Sequence, residues 1–307
     1  MEGIVVGVNG SVEADEALDW AVMEASSSGH PLTVLRVAPD VDEAELTGVL
    51  DEVRAETAAI LDRARERHEP FDAEYAVLPG PIPDALLAAS AEAQMLVLGR
   101  RRRGRLGRRI LGSVSSTVVE NAHVPVTVVR HVDRPTDEPH DDATGPGAPA
   151  TAGAGPVDAA AAPPSAAPRV VVGVDTSAPS VAALRHGAEV AARSGALLEP
   201  VFAWQITTLA PLPGSWGWAP PISDYEDFAR QCLDAAIAAA EVDVPADRIR
   251  PRVVHGQAAK VLIEASQGAD RLVVGARGLG GFDRLVLGST SRQVLDFAGC
   301  PVTVLRA

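Results

Sequence analysis

One stretch of the sequence reads Leu272-Val-Val-Gly275-Ala-Arg-Gly278 and is followed, nine residues later, by Gly288-Ser289-Thr290. The apolar run at its start is typical of a β-strand that is buried on both faces, as in a parallel sheet. The glycines and hydroxyl residues after the run predict a loop that leads into a helix. A strand, a glycine-rich loop and a helix in this order indicate an α/β fold with a ligand at the loop.

The same scheme occurs a second time, 176 residues earlier. Gly99-Arg-Arg-Arg102 is followed after nine residues by Gly112-Ser113, so that an arginine stands in place of the second glycine. Constant offsets between other segments indicate an internal duplication, with a net insertion of ten residues in the second half. The matching segments are 4–11 with 170–177, at an offset of 166, and 123–130 with 299–306, at an offset of 176; the Trp/Pro-rich run 211–221 is the candidate insertion.

The composition limits the classes of function. A length of 307 residues suggests two domains, and 47% hydrophobic residues can form two cores. The two cysteines are too few for a disulfide framework. The net charge of −14 disfavours general nucleic-acid binding, because phosphate contacts supply most non-specific affinity. The first strand is predicted from Ile4 and no apolar run approaches the roughly 20 residues of a membrane span, so we expect a cytoplasmic protein without signal peptide or membrane contact.

Each half alternates β-branched runs with longer helical patterns, which predicts a five-stranded parallel, doubly wound sheet flanked by helices. Residues 1–132 and 169–307 would be tandem Rossmann-like domains, and 133–168, rich in Pro, Ala and Gly, a flexible linker. We expect the halves to pack as an intrachain pseudo-dimer through the fifth strands. The predicted strands are 4–8, 33–38, 73–78, 95–99, 126–130, 170–174, 198–203, 250–255, 271–275 and 302–306. The predicted helices are 13–28, 43–68, 81–93, 113–122, 178–194, 224–241, 257–268 and 289–298, with Ser11, Ser113, Ser177 and Ser289 as N-caps.

The glycine loop of the second half has the composition of an anion site. Gly275 and Gly278 are expected to permit positive φ and a close approach to a ligand. The segment Gly288-Ser289-Thr290 would offer free N–H groups, two hydroxyls and the positive end of a helix dipole. The competing interpretation is a surface turn without a ligand. Lys260 is the only lysine and does not follow a loop glycine, which argues against a P-loop kinase mechanism.

These motifs together resemble the universal stress protein family, and in particular its tandem-domain members. They are Gly-x2-Gly-x9-Gly-Ser after the fourth strand, Val172-Gly-Val-Asp-x-Ser177 at the first strand and Cys300-Pro-Val-Thr-Val304 at the last. The resemblance covers both halves and implies a Rossmann-like fold and ATP as ligand, since members with the complete glycine motif bind ATP. It implies that Asp175 lies near the ribose and phosphates and that backbone near Ala203 meets adenine. The implied phosphate-binding residues are Gly275, Gly278, Gly288, Ser289, Thr290 and Ser291.

The first half departs from this pattern at two positions. Asn9 replaces the aspartate, and Arg102 replaces the second glycine, where a positive φ would be costly. In one interpretation, Arg102 fills the site or shifts the loop, so that the first half binds no nucleotide. In the other, Arg102 contacts the phosphates itself, and Gly104 provides the turn. We favour retained but altered or weaker binding. The candidate residues of this half are Asn9, Val37, Gly99, Arg102, Gly112, Ser113 and Ser115.

Two further features have competing interpretations. Seven arginines within 100–109 form either a site for a polyanion or a solvated loop opposite the acidic helix 42–56. RNA is disfavoured as that polyanion because no aromatic residues interleave. Trp204, Trp216 and Trp218 either cover the adenine or pack at the surface. We interpret His255 as structural.

The leading hypothesis is an ATP-binding regulatory protein, and its link to stress is implied by the resemblance alone. No Ser/His/Asp constellation indicates catalysis. An aspartate beside a triphosphate can recruit Mg²⁺, although one carboxylate is slight support for a metal site. The alternatives are a slow ATPase or adenylyl-transfer enzyme at the same loop, and a nucleotide-free scaffold. A homodimer is a further hypothesis, and the sequence does not identify a regulatory protein partner.

Overall fold

In a computed structural model, the described residues are 1–38, 43–68, 70–100, 111–130, 167–205, 221–278 and 287–306. They form two similar halves. The first comprises β1 (Ile4–Gly7), α1 (Val12–Ser28), β2 (Leu32–Ala38), α2 (Glu43–Arg67), β3 (Ala73–Pro79), α3 (Ile82–Ser90), β4 (Met95–Gly99), α4 (Ser113–Asn121) and β5 (Val126–Val129). The second comprises β6 (Arg169–Val174), α5 (Ala178–Ser194), β7 (Leu197–Trp204), α6 (Ile222–Ala239), a 3₁₀ turn (Ala246–Arg248), β8 (Arg252–His255), α7 (Ala258–Ala265), β9 (Arg271–Gly275), α8 (Ser289–Phe297) and β10 (Val302–Leu305).

The strands join into one continuous sheet in the order β3-β2-β1-β4-β5-β10-β9-β6-β7-β8. Every pairing within a half is parallel, whereas β5 and β10 pair antiparallel. The predicted parallel sheet in each half and the pairing of the fifth strands are therefore confirmed. In each half the strand order reverses between the first and fourth strands, which is where doubly wound folds bind ligands.

The two halves are related by an approximate twofold axis between β5 and β10. Thr127 and Thr303 face each other in this ladder, and their hydroxyl oxygens lie 2.9 Å apart. Both residues are fully buried. Because they are 176 residues apart, each is the counterpart of the other under the offset found in the sequence.

Apolar side chains cover both faces of the sheet. On one face, α1 and α2 pack on the first half and α5 and α6 on the second, in two separate clusters. On the other face, α3, α4, α7 and α8 share one cluster that runs across both halves. Neighbouring residues of a strand point to opposite faces, so Val5 joins the shared cluster while Ile4 and Val6 join that of α1. This burial on both sides explains the continuous apolar runs of the sequence.

The helix starts differ in part from the predicted N-caps. Ser11 and Ser177 do cap α1 and α5, where each hydroxyl accepts a hydrogen bond from a first-turn N–H. The expectation for Ser113 and Ser289 is wrong, because both are the first helical residues of α4 and α8. The glycine before each of them takes the extended backbone conformation of the cap and makes no side-chain hydrogen bond. The first-turn N–H groups of these two helices therefore have no capping side chain as a competitor.

A buried ion pair links the two halves on the face of α1. Glu24 of α1 pairs with Arg271 of β9, and Arg193 of α5 lies 3.5 Å from the same carboxylate. The guanidinium of Arg271 also lies 4.6 Å from the ring centre of Trp20. None of the described helices is both long and apolar enough to span a bilayer.

Candidate functional site

A cavity of about 440 Å³ opens at the carboxyl ends of β6 and β9 and at the start of α8. Its volume is within the usual range for small-molecule sites. The second-half candidate residues from the sequence all line this cavity, although their role towards a ligand stays a prediction. They are Asp175, Ala203, Gly275, Gly278, Gly288, Ser289, Thr290 and Ser291.

Asp175 is held in place by the start of α5. One carboxylate oxygen, Oδ1, accepts hydrogen bonds from the Ser177 N–H at 3.1 Å and the Ser177 hydroxyl at 2.5 Å. The Asp175 N–H donates to the hydroxyl of Ser180 at 3.2 Å. Thr176 adopts a positive φ of 66°, which is uncommon for a β-branched residue and tightens the turn. These contacts within the protein fix the orientation of Asp175.

Gly278 lies directly against the other oxygen of this carboxylate. A Cβ atom added at Gly278 would lie 2.1 Å from Asp175 Oδ2, far inside van der Waals contact. The expected positive φ is wrong for both Gly275 and Gly278, because neither is in the left-handed region. Glycine is needed at position 278 for the space it leaves to Asp175.

At Gly275 and Gly99, too, a neighbouring element lies so close that only glycine fits. Strand β9 passes the start of α5, and a Cβ at Gly275 would lie 2.8 Å from Pro179 Cβ. Strand β4 passes the start of α1, and a Cβ at Gly99 would lie 2.2 Å from the Glu13 carbonyl oxygen. Glu13 and Pro179 are counterparts at the offset of 166. In both halves the first glycine thus lets the fourth strand pack on the first helix.

The start of α8 forms the anion-ready wall of the cavity. The Gly288 N–H donates to the Ala276 carbonyl at 2.9 Å, which holds the two ends of the glycine loop together. Ser289 and Thr290 follow with first-turn N–H groups that have no partner within the helix. The Ser291 hydroxyl instead donates to the Gly275 carbonyl at 2.7 Å, and the side chain is buried. Ser291 therefore braces the loop, and its proton is already engaged.

The opposite wall is apolar, and sequence reasoning missed most of it. Val201, Val274 and Leu262 line the cavity together with Ala258. The spacing of Ala258 and Leu262 on one face of α7 was a usable signal, because residues four apart lie on the same side of a helix. Ala203, the predicted contact of adenine, lies on β7 at this end.

Two polar residues of the cavity were also missed. Ser180 is buried and lies at the third helical position of α5, three residues after the Ser177 cap. Arg277 lies between the two glycines of the loop and brings a positive charge to the lining. Its place inside the motif was visible in the sequence, but nothing there distinguished it from a solvated arginine.

The candidate residues of the first half are arranged in a similar way. Asn9 follows β1, and its Oδ1 accepts the Ser11 N–H at 3.1 Å, as Asp175 accepts that of Ser177. Gly99 ends the neighbouring strand β4, and Gly112 is the N-cap of α4. The others are Val37 on β2, half-buried, Ser113 at the exposed start of α4 and Ser115, buried in its first turn. Arg102 and Gly104 lie outside the described residues.

The remaining sequence features fall partly inside the described residues. Arg100 is buried and donates to the Asp296 carbonyl of the other half, so it is not part of a solvated loop. The other arginines of the run, together with Trp216 and Trp218, lie outside them. Trp204 stacks on Tyr225 at 6.3 Å, and the His255 ring lies 4.5 Å from it, which favours packing for both Trp204 and His255.

Comparison with known proteins agrees with this fold and repeat. The universal stress protein family matches residues 1–130 and 167–306. The universal stress protein Rv2005c of Mycobacterium tuberculosis is 34% identical over 327 residues, which cover 99% of this chain and 97% of that protein. A universal stress protein of Mycolicibacterium smegmatis is 30% identical over 318 residues, covering 99% and 97%. The crystal structure of a universal stress protein from Archaeoglobus fulgidus has a TM-score of 0.68 at 18% identity, covering 99% of this chain and 98% of that one.

The chain therefore belongs to the universal stress protein family, as a tandem member with a Rossmann-like fold in each half. Because the archaeal protein is only 18% identical in sequence, its structural likeness supports the fold alone. The family match leaves out the segment between residues 130 and 167.

Proposed function

We propose that the second half binds ATP and that the bound nucleotide regulates the shape or partner choice of the protein. The observation that carries this proposal is the cavity that joins an apolar wall to the start of α8. A nucleotide has the matching polarity, because its base is a flat, largely apolar group and its phosphates are anionic. A cavity of about 440 Å³ is large enough for a ligand of this class.

In the proposed complex the phosphates lie at the start of α8. The N–H groups and hydroxyls of Ser289 and Thr290, together with the helix dipole, would offset their charge. Arg277 adds a cation to the same cavity. Asp175, held by Ser177, would accept hydrogen bonds from ribose hydroxyls. The base would lie against Val201 and Leu262, with the backbone of Ala203 as its polar contact.

A metal ion would enter with the nucleotide in this proposal. No three potential ligands among His, Cys, Asp and Glu come together in the part of the chain that the structure describes. Asp175 alone cannot complete the oxygen shell of Mg²⁺, so phosphate oxygens and water would supply the remaining ligands. Binding without metal should therefore be weaker but present.

We further propose domains 1–132 and 169–307, joined by a linker over 133–168, with weaker or altered binding in the first. Asn9 keeps the oxygen acceptor but loses the charge of Asp175. The two substituted positions, 9 and 102, correspond to the Asp175–Gly278 contact of the second half. The first half thus lacks the pair of residues that shapes the second-half cavity.

Binding is proposed without strong catalysis. Lys260, the only lysine, is exposed on α7, pairs with Glu264 at 3.9 Å and does not line the cavity. Asp175 Oδ1 is already engaged by two donors of Ser177, which makes it a poor general base. We expect phosphate release no faster than from a Gly278→Arg variant.

The proposal can be tested by calorimetric titration with ATP and, separately, with inorganic tripolyphosphate. ATP should bind tighter than tripolyphosphate by roughly tenfold or more if burial of the base contributes. The double variant Asp175→Asn/Gly278→Arg, which gives the second half the residues of the first, should lose most of this affinity. Equal affinity for the two ligands would indicate a plain anion site, and no heat with either would favour a scaffold.

A further inference from the structure

Helix α8 connects the second-half cavity to the first half of the molecule. Its first turn lines the cavity, and its last turn contacts the end of the first-half glycine loop. There, Asp296 Oδ1 accepts a hydrogen bond from the backbone N–H of Leu111 at 2.7 Å. Leu111 immediately precedes Gly112, which caps α4. A side chain of one half thus fixes the backbone at the candidate site of the other.

The surroundings of Asp296 favour this contact across the halves. An acidic residue in the last turn of a helix opposes the helix dipole, so Asp296 destabilises α8 by itself. Two arginines of the first half offset this cost by donating to the final carbonyls of α8. Arg100 donates to the Asp296 carbonyl, and Arg130 donates to the Ala298 carbonyl at 2.5 Å. Arg100 is only 8% exposed, so this contact is screened little by solvent.

The counterpart of Asp296 makes a different contact. Glu120 occupies the same position in α4, at the offset of 176, and the Glu120 carbonyl accepts a hydrogen bond from Arg306 of the other half. The Glu120 carboxylate, however, pairs with the exposed side chain of Arg292 at 2.8 Å. The Asp296 carboxylate therefore accepts a hydrogen bond from loop backbone, whereas the Glu120 carboxylate pairs with an arginine side chain.

We infer that Asp296 is a positioning residue that couples the second-half site to the start of α4. A helix of nine residues is about 13 Å long and short enough to act as a rigid body. A ligand that stabilises the first turn of α8 should also stabilise its last turn, and with it the Leu111–Asp296 hydrogen bond. By linkage, the order of the first-half site must influence the second-half affinity to the same extent. The coupling rests on the proposed nucleotide site for its ligand.

Amide hydrogen exchange at Leu111, measured with and without ATP, tests the coupling in the intact protein. In the wild type, ATP should slow this exchange. In Asp296→Ala, exchange without ATP should be faster by roughly tenfold or more, because a hydrogen bond to a charged acceptor is lost. ATP should then leave the exchange of Leu111 unchanged while calorimetry still detects binding.

Two matched variants separate positioning from a general loss of structure. Asp296→Asn retains an oxygen acceptor and should restore part of the ATP effect. Glu120→Ala removes the counterpart acid without touching Leu111 and should retain all of it. Equal slowing by ATP in Asp296→Ala and wild type would overturn the inference, as would ATP binding to wild type without any slowing. If wild type binds no ATP in the calorimeter, the proposed function fails and the coupling fails with it.

Discussion

At the scale of single residues, the second-half cavity depends on the contact between Asp175 and Gly278. The carboxylate of Asp175 occupies the space that a side chain at position 278 would need. In the first half, the two corresponding positions hold Asn9 and Arg102, so both partners of the contact are replaced. This makes physical sense, because a side chain at the glycine position requires a different neighbour. We therefore interpret Asn9 and Arg102 as coupled substitutions, in which the change at one position requires the change at the other.

The variant Gly278→Ala tests this contact. Its Cβ would displace the Asp175 carboxylate or the loop, and small displacements of a positioned group weaken ligand binding strongly. We expect ATP affinity to fall by roughly tenfold or more, with little change in thermal stability because Gly278 is exposed. Gly48→Ala is the control, since an added Cβ there meets no atom within 4 Å and should leave affinity unchanged. Unaltered binding by Gly278→Ala would contradict the assigned role of this glycine.

His186 of α5 should make stability depend on pH. Burial and the charge of Arg271 lower the pKa of His186 from 6.5 to about 4, against an opposing effect of Glu24 and with a further lowering by Arg193. The unfolded chain therefore binds the extra proton between about pH 6.5 and 4, and the folded chain resists it. The free energy of unfolding should fall over this window as pH decreases, by on the order of 3 kcal/mol, and its loss should be complete below it.

Urea unfolding of wild type and His186→Leu across pH 4 to 7 measures this contribution. The difference between the two curves isolates His186 from the carboxylates that titrate in the same range. Parallel curves would show that His186 titrates normally in the folded state.

For single residues, the sequence predicted which residues line the cavity better than it predicted the structural role of each one. The glycine spacing together with the family resemblance led to eight second-half candidates, and all eight line one cavity. The reason assigned to the glycines, a positive φ, was wrong, because close approach between strand and helix cannot be read from one segment alone. Conversely, the positive φ of Thr176 was missed, although its counterpart Gly10 has a φ of 75°.

At the scale of the element, the first turn of α8 both lines the cavity and holds the glycine loop in place. Ser289 is an exposed residue of the cavity lining, whereas Ser291 donates its hydroxyl hydrogen to the Gly275 carbonyl. The two serines are two residues apart, so they point to different sides of the helix. Both serines line the cavity, and the hydroxyl of Ser291 also fixes the loop.

Alanine variants of these two serines should affect different properties of the protein. Ser291→Ala leaves a buried carbonyl without its donor and should lower the free energy of unfolding by roughly 1–2 kcal/mol. Ser289→Ala removes an exposed hydroxyl and should lower ATP affinity with stability within about 0.5 kcal/mol of wild type. Thermal unfolding and calorimetric titration of both variants distinguish these roles. A stable Ser291→Ala with unaltered loop geometry would contradict the brace.

The C-terminal ends of two helices could not be predicted from the apolar pattern of the sequence. The helices predicted over 81–93 and 257–268 end earlier, as α3 and α7. Each stops near a buried serine whose hydroxyl bonds a carbonyl three residues before it, Ser90 to Leu87 and Ser266 to Ile263. Such local hydrogen bonds compete with the helical pattern. Apolar periodicity continues past both serines, so the sequence suggested longer helices.

At the scale of the whole molecule, the halves are joined by an asymmetric polar contact. Glu24 and Arg271 form a buried pair on one side of the pseudo-twofold axis. Their counterparts under the two offsets are Val190 and Met95, both buried and apolar. The pairing of β5 with β10 could be predicted from the duplication. The ion pair could not, because it breaks the repeat and involves residues far apart in sequence.

The same correspondence supplies a matched set of variants. Arg271→Met should lower the free energy of unfolding by about 3 kcal/mol or more, since it leaves Glu24 buried with only the more distant Arg193. Arg271→Met/Glu24→Val copies the other side of the axis and should recover most of this loss, because an apolar pair of similar size replaces the charges. Denaturant unfolding of the three proteins checks this. A double variant no more stable than Arg271→Met would show that the charges themselves are needed.

Equilibrium dialysis, which measures the number of ATP molecules bound per chain at saturation, tests whether the second half holds a nucleotide site. We expect one tight site per chain that disappears in Asp175→Asn/Gly278→Arg, with any second site in the first half weaker. No bound ATP in the wild type would contradict the nucleotide site, and undiminished tight binding by the double variant would contradict its location in the second half.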